Sequence, residues 1–463
     1  MKIRIVTFLA MLITISAIGQ NISGDWYGVL KIQGTQLRMV VHIAKTENGY
    51  SSTLDSPDQG ANGIPVGQTI VNGSKLQLLL ANIGAEYNGI VIGDSISGIF
   101  KQGGIEVPMG LSRKQSEKLI PRNSQEAKIV KPYPYYSEEI SFRNSSANIT
   151  LAGTLTFPKN GENFPVVILI SGSGKQNRDE EIFGRKPFLI LSDYLTRNGI
   201  AVLRYDDRGV AQSTGNFNTA TSADFANDVE SAIAFLKTRP EINKSKIGLV
   251  GHSEGGMIAP MVAAKNREVN FIVLLAGLGM AGDKLLVLQE ELISRASGVN
   301  EKEILLNKKI SSEVYNIIKK SKDSIELNIS LKKQVREYYK TDSLGNFLGG
   351  MSEQKWIANL VTPWMQYFLK YDPYAVLKKI KCPVLALNGE KDLQVPPKEN
   401  LSGMEKAFKK GKNKSFTLKE MEGMNHLFQQ CKTGTPSEYL LIEETFSIIA
   451  LDEITKWIAT QTR

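Results

Sequence analysis

The chain has 463 residues, 42% of them hydrophobic and 22% charged, a composition that forms ordinary globular cores and excludes a disordered or fibrous protein. At about 100–200 residues per domain the length allows two or three domains. The formal charge of +9 raises nucleic acid as a partner, but the basic residues are scattered in pairs such as Lys308-Lys309, Lys319-Lys320 and Lys409-Lys410, without the arginine-rich stripe that tracks phosphates. A solvated surface with no nucleic-acid partner is the expectation.

Residues 1–19 read as a secretory signal peptide. Lys2 and Arg4 precede an apolar run from Ile5 to Ile18, and Ala17-Ile18-Gly19 supplies small residues for cleavage. The run is short for a bilayer span, no later segment is apolar enough to be one, and no cysteine follows for lipid attachment. The expected location is therefore periplasmic or secreted, with no integral membrane span after cleavage.

Residues 21–112 carry short alternating segments: Trp26 to Leu30, Leu37 to Ile43, Lys75 to Leu80 and Gly89 to Ile92. Turn signals such as Asn72-Gly73 separate them. This spacing predicts a small antiparallel β-barrel or sandwich. It holds no catalytic constellation, and His42 reads as structural. A polar, Pro-containing stretch at 113–137 reads as a linker. A β-hairpin is expected over 138–157.

From Phe164 strands alternate with helices. Val166–Ile170, Ala201–Tyr205, Lys246–Val250 and Phe271–Leu275 read as strands buried on both faces. Helices fall at 187–197, from a Thr221/Asp224 capping box to about 238, and at 255–265. This pattern predicts a mostly parallel sheet built from βαβ units within a domain spanning 138–463. Residues 283–370 hold only helical spacing and read as an inserted helical cap. Strands resume at Pro383–Leu387 and Ser415–Leu418, and a last helix is expected over 436–458.

Gly251-His252-Ser253-Glu254-Gly255-Gly256 has the form G-x-S-x-G. Alone it is a common pattern. Here it joins a β-branched strand to an Ala- and Met-rich helix, the strand–turn–helix setting in which such a serine becomes a nucleophile. Together with Ile170-Ser171-Gly172-Ser173-Gly174 and Leu203-Arg204-Tyr205-Asp206-Asp207-Arg208-Gly209-Val210, it resembles the α/β-hydrolase superfamily. More narrowly it is similar to bacterial esterases and lipases of the serine aminopeptidase (S33-like) and dienelactone-hydrolase-related groups. The resemblance covers about 140–460 and leaves the N-terminal β unit outside.

A serine hydroxyl needs a base, and histidine suits neutral pH. Of the three histidines, His42 lies in the other domain. His252 adjoins the serine on the wrong side of the elbow, and the resembling enzymes do not use it as base. That leaves His426, in a loop after the last strand, in the order Ser…Asp…His of this fold. The resemblance places the orienting acid at Asp392, in a G-x-x-D-x-x-V-P run, with Glu390 as its rival in the same loop.

The backbone N–H of Glu254 is expected as one oxyanion donor. The resemblance puts the other at Ser173 or Gly174, although Ser171-Gly172 stands where the family has His-Gly. The Asp206-Asp207-Arg208 run reads as a structural loop. No metal-ligand spacing, phosphate loop or dinucleotide fingerprint is present, so no cofactor and no metal are implied. Trp364 and Phe368, in an aromatic cap segment, are candidate acyl-site residues or core. Cys382 and Cys431 are not expected to pair.

The implied activity is a serine hydrolase cleaving small carboxylic esters through an acyl-enzyme. An aminopeptidase-like amide hydrolase or an acyltransferase could use the same residues. An aminopeptidase would need a cap carboxylate for the substrate amine, with Glu290 and Glu291 as candidates. A reading of another class is an envelope glycan- or polymer-binding protein acting through the β unit. The sequence leaves the oligomeric state open.

Overall fold

A computed structural model describes residues 22–32, 35–47, 49–57, 61–80, 84–102, 105–114, 124–182, 184–340, 353–439 and 441–463. The segment expected as a signal peptide lies outside these residues. The chain forms two compact units, one within 22–114 and one within 124–463.

The first unit is antiparallel. Its strands are β1 (Gly24–Ile32), β2 (Thr35–Thr46), β3 (Gly49–Ser56), β4 (Ala61–Pro65), β5 (Gln68–Asn72), β6 (Lys75–Leu80), β7 (Ala85–Ile92), β8 (Ser95–Gln102) and β9 (Ile105–Ser112). They run in the order β2-β1-β9-β8-β7-β6-β5-β3-β4, and β2 pairs with β3, so the sheet curls into a barrel. Alternation does the work: Leu76, Leu78 and Leu80 of β6 point inward with Trp26, Met39, Tyr87 and Met109. Tyr87 fills the interior and donates to the Met109 carbonyl at 3.0 Å. Gly98 makes room for it, since a Cβ there would lie 2.4 Å from the phenol oxygen. His42 bridges Asp25 and Asp55 at 2.7 and 3.0 Å.

The second unit is built on an eight-stranded sheet of β10 (Tyr135–Asn144), β11 (Ile149–Pro158), β12 (Phe164–Ile170), β13 (Ala201–Tyr205), β14 (Ile242–His252), β15 (Val269–Leu275), β16 (Val384–Gly389) and β17 (Phe416–Met421). The order is β10-β11-β13-β12-β14-β15-β16-β17. β11 is antiparallel to both its neighbours, and every pairing from β13 to β17 is parallel. This is the α/β-hydrolase fold. The central strands carry buried apolar runs, Val166–Ile170 of β12, Ile247–Val250 of β14, Phe271–Leu275 of β15 and Val384–Leu387 of β16, at or near zero exposure, as a sheet covered on both faces requires.

Helices α1 (Pro187–Arg197), α2 (Ser222–Leu236) and α3 (Gly255–Ala263) connect the strands. The Asp224 carboxylate accepts the Thr221 backbone N–H at 2.9 Å, which starts α2 where the sequence predicts. Between β15 and β16 lie α4 (Gly282–Ala296), α5 (Glu301–Lys320), α6 (Ser324–Lys340), α7 (Glu353–Leu360) and α8 (Pro363–Lys370). These hold the small apolar core of Ile310, Val314, Ile318, Leu331 and Val335 that marks them as a cap. α9 (Tyr374–Leu377), α10 (Pro397–Lys410) and α11 (Ile448–Gln461) complete the unit.

Two segments differ from the sequence reading. The final helix begins at Ile448, not at 436: only a single 3-10 turn forms at Pro436–Glu438. Tertiary bonds hold the intervening chain out of the helix. Gln125 Oε1 accepts the Thr445 and Phe446 N–H groups at 2.7 and 2.9 Å, and the Phe428 carbonyl accepts from Ser447 at 2.9 Å. The same contacts anchor the stretch after Ser124, within the 113–137 segment read as linker. There the Glu126 carboxylate accepts from Thr445 and from the Lys186 N–H, and Tyr135 donates to Asp193 at 2.8 Å. Both thiols are free, with burial pushing each up to about 11.

Candidate active site

Ser253 stands between the end of β14 and the start of α3 at φ +52°, a left-handed conformation that costs a non-glycine residue about 1–3 kcal/mol. Its N–H donates to the Leu275 carbonyl at 2.8 Å, which fixes the turn against β15. Two glycines make the turn possible. A Cβ on Gly251 would lie 2.0 Å from the Gly255 oxygen, and one on Gly255 would lie 2.0 Å from the Ile170 oxygen. The motif's glycines are thus dictated by backbone contact, and Ser253 is held at the N-terminal end of α3, where helix N–H groups favour negative charge.

The loops after β16 and β17 bring Asp392 and His426 together. His426 Nδ1 is 2.8 Å from Asp392 Oδ2, with both side chains buried. The other carboxylate oxygen of Asp392 accepts the Gln394 and Val395 N–H groups, each at 2.8 Å. Asn425 shapes the base loop by accepting from Leu427 N–H at 2.9 Å and Gln429 N–H at 3.0 Å. Phe428, at φ +57°, stacks on Phe446 at 5.6 Å and pins the loop from beneath. Glu390 is exposed and accepts the Gly423 N–H at 2.8 Å, away from any histidine. No hydrogen bond joins Ser253 to His426 among the described residues. Such bonds in unliganded sites often tighten only when substrate is bound.

The family whose model matches is described as serine aminopeptidase, S33, and the match runs over residues 187–430, just over half of the chain. The chain belongs to this serine aminopeptidase S33 family. Esterase EstD of Thermotoga maritima is 24% identical over 337 residues, covering 70% of this chain and 69% of that protein. Among solved structures, Est1E of Butyrivibrio proteoclasticus with ferulic acid bound is 17% identical with a TM-score of 0.43, covering 70% of this chain and 99% of that one. The Pyrococcus furiosus esterase Pf2001 is 14% identical with a TM-score of 0.43, covering 75% and 97%. The S33 match begins at α1 and ends just beyond His426, so it takes in Ser253, Asp392 and His426 but stops short of the loop after β12.

That loop, Ser171 to Gly174, runs beside the elbow. Ser171 Oγ donates to Asp207 at 2.8 Å, and Gln176 N–H donates to the same carboxylate at 3.0 Å. Burial pushes the Asp207 carboxyl well above its ordinary range. Gly172 N–H is taken by Glu180 at 2.6 Å. Among the described residues the N–H groups of Ser173, Gly174 and Glu254 have no partner within the protein. Arg208 makes a two-pronged bond to Asp228 at 2.7 and 2.8 Å, and Arg178 pairs with Asp206 at 2.7 Å, so the Asp-Asp-Arg run braces the fold.

Trp364 and Phe368 stack at 5.1 Å on α8. Phe368 is buried in the main core. Trp364 is half-buried, and its indole N–H donates to Glu254 Oε1 at 2.8 Å. Ser222 Oγ donates to the same oxygen at 2.5 Å, and burial raises the Glu254 carboxyl. Residue 254 therefore links α2, the elbow and the cap, which its place in a G-x-S-x-G motif does not announce. The sequence reading also missed Glu180. It lies in a loop with no periodic pattern, and its carboxylate meets His252 Nδ1 at 2.9 Å.

Proposed function

We propose that the chain is a carboxylic-ester hydrolase that works through an acyl-enzyme on Ser253. The observation that carries the reading is the strained serine at φ +52° on a β14–α3 elbow, with a buried His426–Asp392 pair bonded at 2.8 Å on neighbouring loops of the same sheet edge. His426 Nε2 takes the Ser253 proton as the oxygen attacks the ester carbonyl. Asp392 accepts the Nδ1–H, which holds the acceptor nitrogen toward the serine and stabilises the imidazolium. The N–H groups of Glu254 and Ser173, with Gly174 as the alternative to Ser173, receive the developing oxyanion. Each such donor is worth about 2.7–4 kcal/mol of barrier. Collapse of the intermediate expels the alcohol, which leaves with the proton from His426. Water then attacks the acyl group, His426 takes its proton and returns one to Ser253.

The S33 family description and the esterase name of the Thermotoga relative frame the choice between amide and ester. The two cap acids suited to an amine are engaged elsewhere. Glu290 accepts from Ser311 at 2.6 Å, and Glu291 is paired with Lys308 at 2.7 Å and Arg295 at 3.1 Å. We favour the ester. Export, proposed from the apolar run at 5–18, would put this activity outside the cytoplasm; N-terminal sequencing of the protein recovered from cells should begin near Gln20. A fluorophosphonate probe tests the chemistry. It should label the wild type and not Ser253→Ala, and an unlabelled wild type would favour the binding-protein reading. A panel of acyl p-nitrophenyl esters against aminoacyl p-nitroanilides separates ester from amide.

A further inference from the structure

His252 lies between two acceptors. Its Nδ1 is 2.9 Å from Glu180 Oε1, and its Nε2 is 3.0 Å from the backbone carbonyl oxygen of His426. A neutral imidazole offers one N–H and one lone pair, so in that state one contact sets a lone pair against an oxygen. The residue is 7% exposed, which leaves little room for water to relieve the mismatch. Two protonation patterns satisfy both contacts: a doubly protonated ring, or a neutral ring with the extra proton on Glu180. The same Glu180 oxygen also receives Gly172 N–H at 2.6 Å, a short bond of the kind that charged oxygens make. That favours the carboxylate and puts the proton on the ring.

We propose that His252 is a buried imidazolium, paired with the Glu180 carboxylate, and that it is the positioning residue fastening the base loop to the nucleophile elbow. The proposal rests on the reading of Ser253 as nucleophile. Three segments meet on this pair. Glu180 receives the oxyanion-loop N–H of Gly172, whose missing Cβ would lie 3.3 Å from Ser253 Cβ. His252 precedes Ser253 in the chain. Its Nε2–H fixes the main chain of His426, whose ring lies 4.9 Å away. Glu180 is itself held at φ +50°, a second strained residue at this edge.

The groups facing the ring favour its charge. Glu180 approaches from the loop after β12, and Asp392 acts from the loop after β16. His426 and the edge of Phe428, 6.4 Å away, come from the loop after β17, and Asp207 lies near Glu180. Burial alone would lower the His252 value, but the Glu180 charge and bond, the His426 carbonyl and Asp392 together raise it above the ordinary 6.5. A raised folded value fixes the direction. The contribution of the charged ring is complete below 6.5 and is lost as pH climbs through the folded value. The fastening therefore weakens on the alkaline side, and kcat should fall there with KM unchanged.

Three histidines make a labelled-histidine NMR experiment simple to assign, with His252→Gln identifying its signals. In the wild type at pH 7 both ring nitrogens of His252 should be protonated. In Glu180→Gln one should have lost its proton, and the alkaline limb of kcat on p-nitrophenyl acetate should move down by about one pH unit or more. A singly protonated His252 ring in the wild type at pH 7 overturns the proposal, and that measurement does not need the variant to fold. An alkaline limb left in place by Glu180→Gln, with His252 deprotonated, overturns the positioning role. Failure of the wild type to react with a fluorophosphonate removes the hydrolase reading and that role with it, while the spectrum still decides the ring's charge.

Discussion

Replacing Asp392 with asparagine should nearly abolish turnover while leaving the fold in place. One carboxylate oxygen receives two backbone N–H groups at 2.8 Å, and the other receives His426 Nδ1–H at 2.8 Å. An asparagine must choose which end to present to which side. Turning its NH2 toward Gln394 and Val395 would forfeit two hydrogen bonds, about 1 kcal/mol each, and set donor against donor. The amide oxygen therefore keeps the backbone contacts and the NH2 faces His426. The imidazole then accepts at Nδ1 and carries its proton on Nε2, where it cannot take one from Ser253. A tautomer error of this kind lowers kcat about 10⁴-fold. At 1.36 kcal/mol per decade that is about 5.4 kcal/mol of barrier. Steady-state hydrolysis of p-nitrophenyl acetate measures it, with circular dichroism showing that the variant is folded. A folded Asp392→Asn protein within tenfold of the wild-type kcat would refute the assignment of the acid.

His426→Ala should lose p-nitrophenyl acetate turnover entirely, whereas His252→Ala should keep a reduced but measurable rate; equal loss in both would contradict the choice of base. Gly255→Ala should fail to give soluble, folded protein, because its Cβ would fall 2.0 Å from the Ile170 oxygen, a contact backbone cannot relieve; a normal melting curve for this variant would contradict the elbow geometry. Activity should survive EDTA, since the proposed chemistry uses only side chains and N–H groups, and a loss restored by zinc or calcium would require a different mechanism.

The elbow was readable because its constraint is local. Gly251 is required by an atom four residues on, the Gly255 oxygen, although Gly255 itself answers to Ile170 on the neighbouring strand, and the strand and helix around them carry their own patterns. The central strands were readable for a similar reason: burial on both faces leaves unbroken apolar runs such as Val166–Ile170. Chain order and the shortage of histidines reached His426, but Asp392 came from the family resemblance, since nothing local joins positions 34 residues apart. Features set by tertiary contact stayed hidden. The apolar pattern near Tyr439 to Ile442 suits a helix, but Gln125, more than 300 residues away, claims the Thr445 and Phe446 N–H groups. The pairing of Glu180 with His252, 72 residues apart, left no periodic trace. The Trp364 bond to Glu254 likewise depends on where the cap sits, which no segment of the cap encodes alone.

The most direct measurement is the site of acylation itself. Wild-type protein mixed with p-nitrophenyl acetate, quenched in acid within the first turnovers and mapped by peptide mass spectrometry should carry one acetyl group on Ser253, and His426→Ala should carry none under the same conditions. An acetyl group found reproducibly on another residue, or hydrolysis proceeding at full rate in Ser253→Ala, would contradict the account.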